Sequence, residues 1–277
     1  MIEAPALPRL DETMTASRWY PKFGGKGGNQ AIAAARAGAV RMLGAVGDDG
    51  FAAYLRQGLR AGGVDDRFVA TQPGVGSGMS VAIMLPDGGY AAVIVSGANL
   101  AIDPAVLEDD TLWQDVRLVL LQNEVAPALN LAAARAAKQR GLPVVLNAAP
   151  ARQDDPALTA CLTHLVVNAV EAEQMGSAPV GDLASAAAAA AALAHHAPAV
   201  IVTAGAQGLA ACDRGRVFTL PAEQVAVVTS HGAGDAFCGT LAAALARGLP
   251  LEPGCLLARR AAADHVAGRG AGRGAAG

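Results

Sequence analysis

From Val116 onward, short runs of β-branched or leucine side chains alternate with longer helical patterns, and this alternation constrains the fold most. Residues 118–122, 144–147, 164–168 and 200–203 read as strands that are apolar throughout, with helices near 127–140, 156–161 and 183–196 between them. A strand apolar on both faces must be covered on both, and consecutive strands joined by helices run parallel. The expectation is an α/β fold, a doubly wound and mostly parallel sheet with helices on both sides. Ligands of such sheets sit beyond the carboxyl ends of the strands.

The region before Val116 differs. Residues 79–85 and 90–95 flank Pro86-Asp87-Gly88-Gly89 and read as an antiparallel hairpin, while 19–23 offers another strand for the same small sheet. Residues 28–37 and 50–61 read as helices around a strand at 40–46. The connections are short and no repeat is present, so residues 1–277 are expected to form one domain, with a β lid around 11–23 and 79–95. Both ends depart from a complete α/β domain. Residues 1–20 hold no β run, so the first strand is expected to be missing and the true start to lie upstream. Residues 268–277 are only Gly, Ala and Arg and read as a frayed tail.

Composition narrows the function. A chain that is 53% hydrophobic and 16% charged can build a large core, and 21 basic against 24 acidic residues lack the excess that phosphate-backbone binding uses. With two Trp, three Tyr and five Phe there is little base-stacking surface, so nucleic acid is not an expected partner. No apolar run reaches the roughly 20 residues of a membrane span, and the first ten residues lack the pattern of a signal peptide. Cys161, Cys212, Cys238 and Cys255 are widely spaced, with no CxxC pair or zinc-type histidine spacing. They read as free thiols of a cytoplasmic protein. The alanine run 186–192 follows Asp182, a good N-cap, and reads as a helix.

Two glycine-dense segments each precede a helix: Gly24-Gly25-Lys26-Gly27-Gly28-Asn29-Gln30 and His231-Gly232-Ala233-Gly234-Asp235. Lys26 is followed by Gly27 where a Walker loop has Ser or Thr, and neither segment has dinucleotide-fingerprint spacing. What remains is physical: glycines let backbone N–H groups approach a ligand closely, and a helix start favours an anion. In the second segment Gly232, Ala233 and Gly234 can present amides beside the carboxylate of Asp235. That pairing suits phosphoryl transfer, the amides stabilising the moving phosphoryl group while the carboxylate takes a hydroxyl proton. On these residues alone, Asp235 serves equally well as a cap of the following helix.

Those two segments resemble the paired signatures of the ribokinase/PfkB carbohydrate kinases. Ser96-Gly97-Ala98-Asn99, Leu121-Gln122-Asn123-Glu124, Leu146-Asn147-Ala148-Ala149-Pro150-Ala151, Asn168-Ala169-Val170-Glu171 and Thr203-Ala204-Gly205-Ala206-Gln207-Gly208 resemble further family segments in the same order, across about residues 11–267. The resemblance implies a ribokinase-like fold that moves the ATP γ-phosphoryl group to a sugar hydroxymethyl, ribose being the leading substrate. Asp235 is then the base, with Gly232, Ala233 and Gly234 the anion hole. Gly25, Lys26, Gly27, Gly28, Asn29 and Glu124 are implied for the sugar. Asn168, Thr203, Ala204, Gly205, Ala206, Gln207, Gly208 and Gly234 are implied for ATP, and Glu171 for Mg²⁺ through water. On the residues alone Lys26 can be a solvated loop charge, Glu124 a surface acid and Glu171 a first-turn helix acid.

Several positions depart from the family pattern. The strand ending in Asn-x-Asp that grips the sugar has no counterpart before Pro5. Thr229-Ser230 replaces an Asp-Thr pair, so K⁺ dependence is doubtful, and Arg259 stands where a neutral Asn or His is usual near adenine. His231 reads as a spacer, since Asp235 fills the role of base. The resemblance further implies a lid that can pair between two subunits, giving a homodimer. Two alternatives stand beside the sugar kinase: a nucleoside kinase, and a truncated nucleotide- or sugar-binding remnant without useful catalysis.

Overall fold

The computed structural model describes residues 1–86 and 90–269. Most of the turn expected at 86–89 lies outside the described residues, as does the tail from 270. Two short strands, β1 (Ile2–Glu3) and β2 (Arg18–Trp19), pair antiparallel. Then α1 (Lys26–Ala35), β3 (Val40–Gly47), α2 (Gly50–Ala61) and β4 (Val64–Gln72) come in turn, with β3 and β4 parallel, as a helical crossover requires. Asp49 starts α2, its carboxylate accepting the N–H groups of Phe51 and Ala52. The expected hairpin is present as β5 (Met79–Met84) and β6 (Tyr90–Val95), and the lid sheet has the order β2-β1-β5-β6.

After the short α3 (Asp110–Trp113), strands β7 (Val119–Gln122), β8 (Val144–Asn147), β9 (His164–Asn168) and β10 (Ala199–Thr203) run parallel. Their crossovers carry α4 (Pro127–Gln139), α5 (Pro156–Thr159), α6 (Ala169–Gln174) and α7 (Leu183–Ala192). Then β11 (Gly208–Asp213) and β12 (Arg216–Pro221) add antiparallel strands, giving the order β12-β11-β10-β9-β8-β7, and α8 (Ala233–Ala246) and α9 (Leu251–Val266) complete the element order. Side chains alternate across this sheet with period two. Val144, Leu146, Val167 and Val202 pack with α4 and α7, whereas Val145, Val166 and Ile201 pack with Phe237 and Leu241 of α8 and Cys255 of α9. The α/β expectation with both faces covered is met. All four cysteines are buried and free.

The lid corrects the sequence reading. Of the segment 19–23 only Trp19 is in a strand, the two-residue Arg18–Trp19, and Ile2–Glu3, expected to lie outside any β structure, pairs in parallel with Ile83 and Met84. Two-residue strands carry no periodicity, so alternation cannot reveal them. Among the described residues, the β3–β4 pair is a separate two-stranded sheet with no ladder to β7.

A single close approach between helices positions the functional residues. A side chain at Gly239 on α8 would meet Gln30 O at 2.2 Å and Ala33 Cβ at 2.7 Å, so glycine there lets α8 lie directly on α1. That contact brings the first turns of two helices, distant in sequence, to the same end of the sheet.

Candidate active site

Helix α1 starts at Gly25, with φ of 86° and no side-chain cap. The missing cap is replaced from another strand end: Glu124, just past β7, accepts the Lys26 N–H on Oε2 at 2.8 Å. A carboxylate at a helix N-terminus meets unpaired donors and the positive end of the dipole. Burial pushes the Glu124 carboxyl above the usual carboxylate range, the Lys26 backbone bond and charge oppose that, and Asp235 adds to it. Glu124 is therefore no surface acid.

Helix α8 starts at Gly232, whose φ of 88° favours glycine, again with no side-chain cap. The Ala233 N–H turns back to Ser230 O at 3.3 Å, a long contact. Asp235, 9% exposed in the first turn, is held on both oxygens. Asn29 Nδ2 donates to Oδ2 at 3.0 Å, and Gln30 Nε2 donates to Oδ1 at 3.0 Å. Gln30 Nε2 also donates to Asn147 Oδ1 at 2.9 Å, tying the carboxylate to the end of β8. The expected residues Asn29 and Asp235 thus meet directly, as do Lys26 and Glu124. Gly28 has a different environment: a side chain there would meet the Phe23 ring at 2.8 Å, so its missing side chain makes room for packing.

At the other strand ends, Asn168 of β9 stands in register with Thr203 of β10, so the 203–208 loop leaves the sheet beside Asn168. Asn168 and Glu171 form a capping box: Asn168 Oδ1 accepts the Glu171 N–H at 2.8 Å, and Glu171 Oε2 accepts the Asn168 N–H at 2.9 Å. The spacing Asn-x-x-Glu is itself the signal for that motif. Burial raises the Glu171 pKa, the Lys26 charge lowers it and the Asp235 charge raises it. Two buried acids that feel each other, with Lys26 opposing, are a setting a cation would relieve. Among the described residues no group of three His, Cys, Asp or Glu side chains could hold a metal by itself.

Burial pushes the His231 imidazole down, with Lys22 adding to the effect and Asp235 opposing it, so His231 favours its neutral form beside the Gly232 turn. Its backbone carbonyl accepts a hydrogen bond from His265 Nε2 at 2.8 Å, which pins the turn to the end of α9. Burial likewise raises the Cys238 thiol, one helical turn beyond Asp235, so it stays protonated near neutrality. Arg259 is engaged elsewhere, donating to Pro221 O at 2.9 Å and lying 3.5 Å from Glu223. Gln30, Asn147 and His265 are the residues that sequence reasoning missed. Gln30 sat inside the first glycine segment, yet only its spatial partners give it meaning.

An α/β fold with an acid in the first turn of a glycine-capped helix, at the carboxyl end of a parallel sheet, has the make-up of a small-molecule phosphotransferase. Residues 2–275 match the pfkB family carbohydrate kinases, and the chain belongs to that family: it is a carbohydrate kinase, a phosphotransferase with an alcohol group as acceptor. It is 33% identical over 273 residues to the ribokinase of Bacillus subtilis (strain 168), covering 98% of this chain and 90% of that relative. It is also 32% identical over 270 residues to the deoxyribokinase of Salmonella typhi, covering 95% and 88% respectively. Among solved structures, Arabidopsis thaliana ribokinase complexed with ribose and ATP superposes with a TM-score of 0.86 at 27% identity, covering 96% of this chain and 88% of that one.

Proposed function

We propose that this carbohydrate kinase uses ATP to phosphorylate the hydroxymethyl group of a pentose, ribose first. The observation that carries the reading is the Asp235 carboxylate, fixed by Asn29 and Gln30 in the first turn of α8. In the reaction the sugar hydroxyl attacks the γ-phosphorus, a new O–P bond forms, the bond to the leaving ADP breaks, and the hydroxyl proton passes to Asp235 Oδ2. The N–H groups of Gly232, Ala233 and Gly234 face the phosphoryl oxygens, with Gly232 and Gly234 contributing most because Ala233 is partly engaged by Ser230. Gly25, Lys26, Gly27, Asn29 and Glu124 line the sugar side, and Gly28 supports them by admitting Phe23. Asn168 and residues 203–208 receive the nucleotide beyond the ends of β9 and β10. Glu171 would hold Mg²⁺ through water, and the ion would supply charge neutralisation at the phosphates.

The described chain acts as one kinase domain whose lid covers the sugar. Val93, Ile94 and Val95 are exposed on both faces of β6, the edge strand of that lid. An apolar edge of this kind suits pairing with a second copy, so we assign the lid as a homodimer interface. No helix among the described residues is long and apolar enough to cross a membrane, and the reaction belongs with the ATP of the cytoplasm.

The test is ADP release from ATP by purified protein over a panel including ribose and 2-deoxyribose, with and without Mg²⁺. Release that needs both a pentose and Mg²⁺ supports the proposal, and no pentose-dependent release contradicts it. The deoxy sugar belongs in the panel because the deoxyribokinase match nearly equals the ribokinase match in identity.

A further inference from the structure

We infer that Gln30 is a positioning residue for the proposed base, setting which oxygen of Asp235 takes the proton; the inference rests on the phosphotransfer role proposed for Asp235. Gln30 is 1% exposed, on the face of α1 that packs against α8. An apolar side chain could fill such a place without leaving a polar atom unpaired, yet Gln30 Oε1 is buried there with no hydrogen-bond partner. What the residue gains is on its other end. Its amide nitrogen reaches Asn147 Oδ1 at 2.9 Å and Asp235 Oδ1 at 3.0 Å, and both are acceptors. The amide orientation is therefore forced, because turning it over would set Oε1 against an amide oxygen and a carboxylate oxygen.

Asn147 is fixed in turn. Its Nδ2 donates to Val166 O at 3.2 Å, which leaves Oδ1 aimed at Gln30. A chain of bonds thus runs from β9 through Asn147 on β8 and Gln30 on α1 to Asp235 on α8. Asp235 Oδ1 is committed to this buried chain, whereas among the described residues Oδ2 meets the half-buried Asn29 and is the oxygen left for a substrate hydroxyl. Holding one oxygen on the rigid sheet aligns the other, and misplacement of a base by about 1 Å can cost about a hundredfold in rate.

The test compares Gln30→Met, Gln30→Glu and Asp235→Asn in the full chain, with steady-state kinetics for ATP and the best sugar. Asp235→Asn is the control for the underlying reading: if it leaves turnover intact, that reading fails whatever Gln30 does. With that control inactive, Gln30→Met is expected to lower kcat by about tenfold to a hundredfold while both KM values stay within about threefold. Gln30→Glu keeps the shape but replaces the donor by a carboxylate against Asp235, so its turnover at pH 8 is expected to fall at least as far. Once protonated, the introduced carboxyl regains an O–H donor, so turnover relative to wild type is expected to recover between pH 8 and pH 6 for Gln30→Glu and not for Gln30→Met. The other titratable and charged groups facing Asp235 are Lys26, Glu124, Glu171, His231 and Cys238, common to all variants, so the comparison with wild type and with Gln30→Met at each pH cancels their titration. A folded Gln30→Met protein with kcat within threefold of wild type, or one whose loss lies in KM, would overturn the inference. If Gln30→Met does not fold, the isosteric variant decides: a constant ratio to wild type across that pH range overturns it.

Discussion

The starts of α1 and α8 are built alike and finished differently. Each is capped by a glycine at positive φ, 86° at Gly25 and 88° at Gly232, and neither has a side-chain cap. At α1 the protein supplies its own anion, the Glu124 carboxylate on the Lys26 N–H. At α8 the nearby carboxylate, Asp235, is bonded by the side chains of Asn29 and Gln30. A helix end already holding a carboxylate suits a neutral, hydroxyl-rich ligand, and one without it suits a phosphate. On the proposed function, the same local device yields a sugar end and a phosphoryl end, distinguished by a side chain from a distant strand end.

Four experiments break or sharpen that contrast. Gly232→Val should be the most damaging, because it strains a positive φ and puts a Cβ about 3.0 Å from His265 Nε2. Turnover per folded molecule should fall at least tenfold, with a stability cost of about 1–2 kcal/mol. A loss of stability alone would remove the anion role from α8. Glu124→Gln should raise KM for the sugar about tenfold and leave KM for ATP unchanged. A rise in the ATP value instead would reverse the assignment of the two ends.

The same substitution tests the electrostatics. A carboxyl whose folded pKa is raised binds more protons in the native state, so its contribution becomes less favourable as pH rises from the ordinary value of 4.5 through the raised one. Glu124→Gln should therefore gain melting temperature relative to wild type between pH 4.5 and pH 7, and a constant difference would contradict the burial argument. The smallest effect on turnover is expected at the lid. Val93→Asp with Ile94→Asp should shift light scattering from dimer to monomer and change saturated turnover less than twofold, and an unchanged mass would remove the lid from the interface.

The strands legible in the sequence are the apolar runs of the parallel sheet, together with β3 and the β5–β6 hairpin that its turn residues mark. The runs at 119–122, 144–147, 164–168 and 199–203 are mostly Val, Leu and Ile, so position along the chain and side-chain type agree. The strands β4, β11 and β12 gave less warning. Val64–Gln72 carries Asp65, Asp66 and Arg67, whose charges pair with Arg41, Arg60 and each other, and Gly208–Asp213 is rich in alanine and glycine. At the site, the motif residues were legible because glycine, asparagine and acid types mark backbone approach and hydrogen bonding. The Gln30–Asn147–Asp235 chain was not, since its members lie 117 and 205 residues apart and only the close approach of α1 and α8 at Gly239 joins them.

The most direct measurement is sugar-dependent ADP release by Asp235→Asn beside calorimetric binding of ATP to the same protein. A carboxylate that accepts the hydroxyl proton predicts a loss of about a hundredfold to ten-thousandfold in turnover with nucleotide affinity within a few-fold of wild type. Turnover near the wild-type rate in the folded variant would contradict the account.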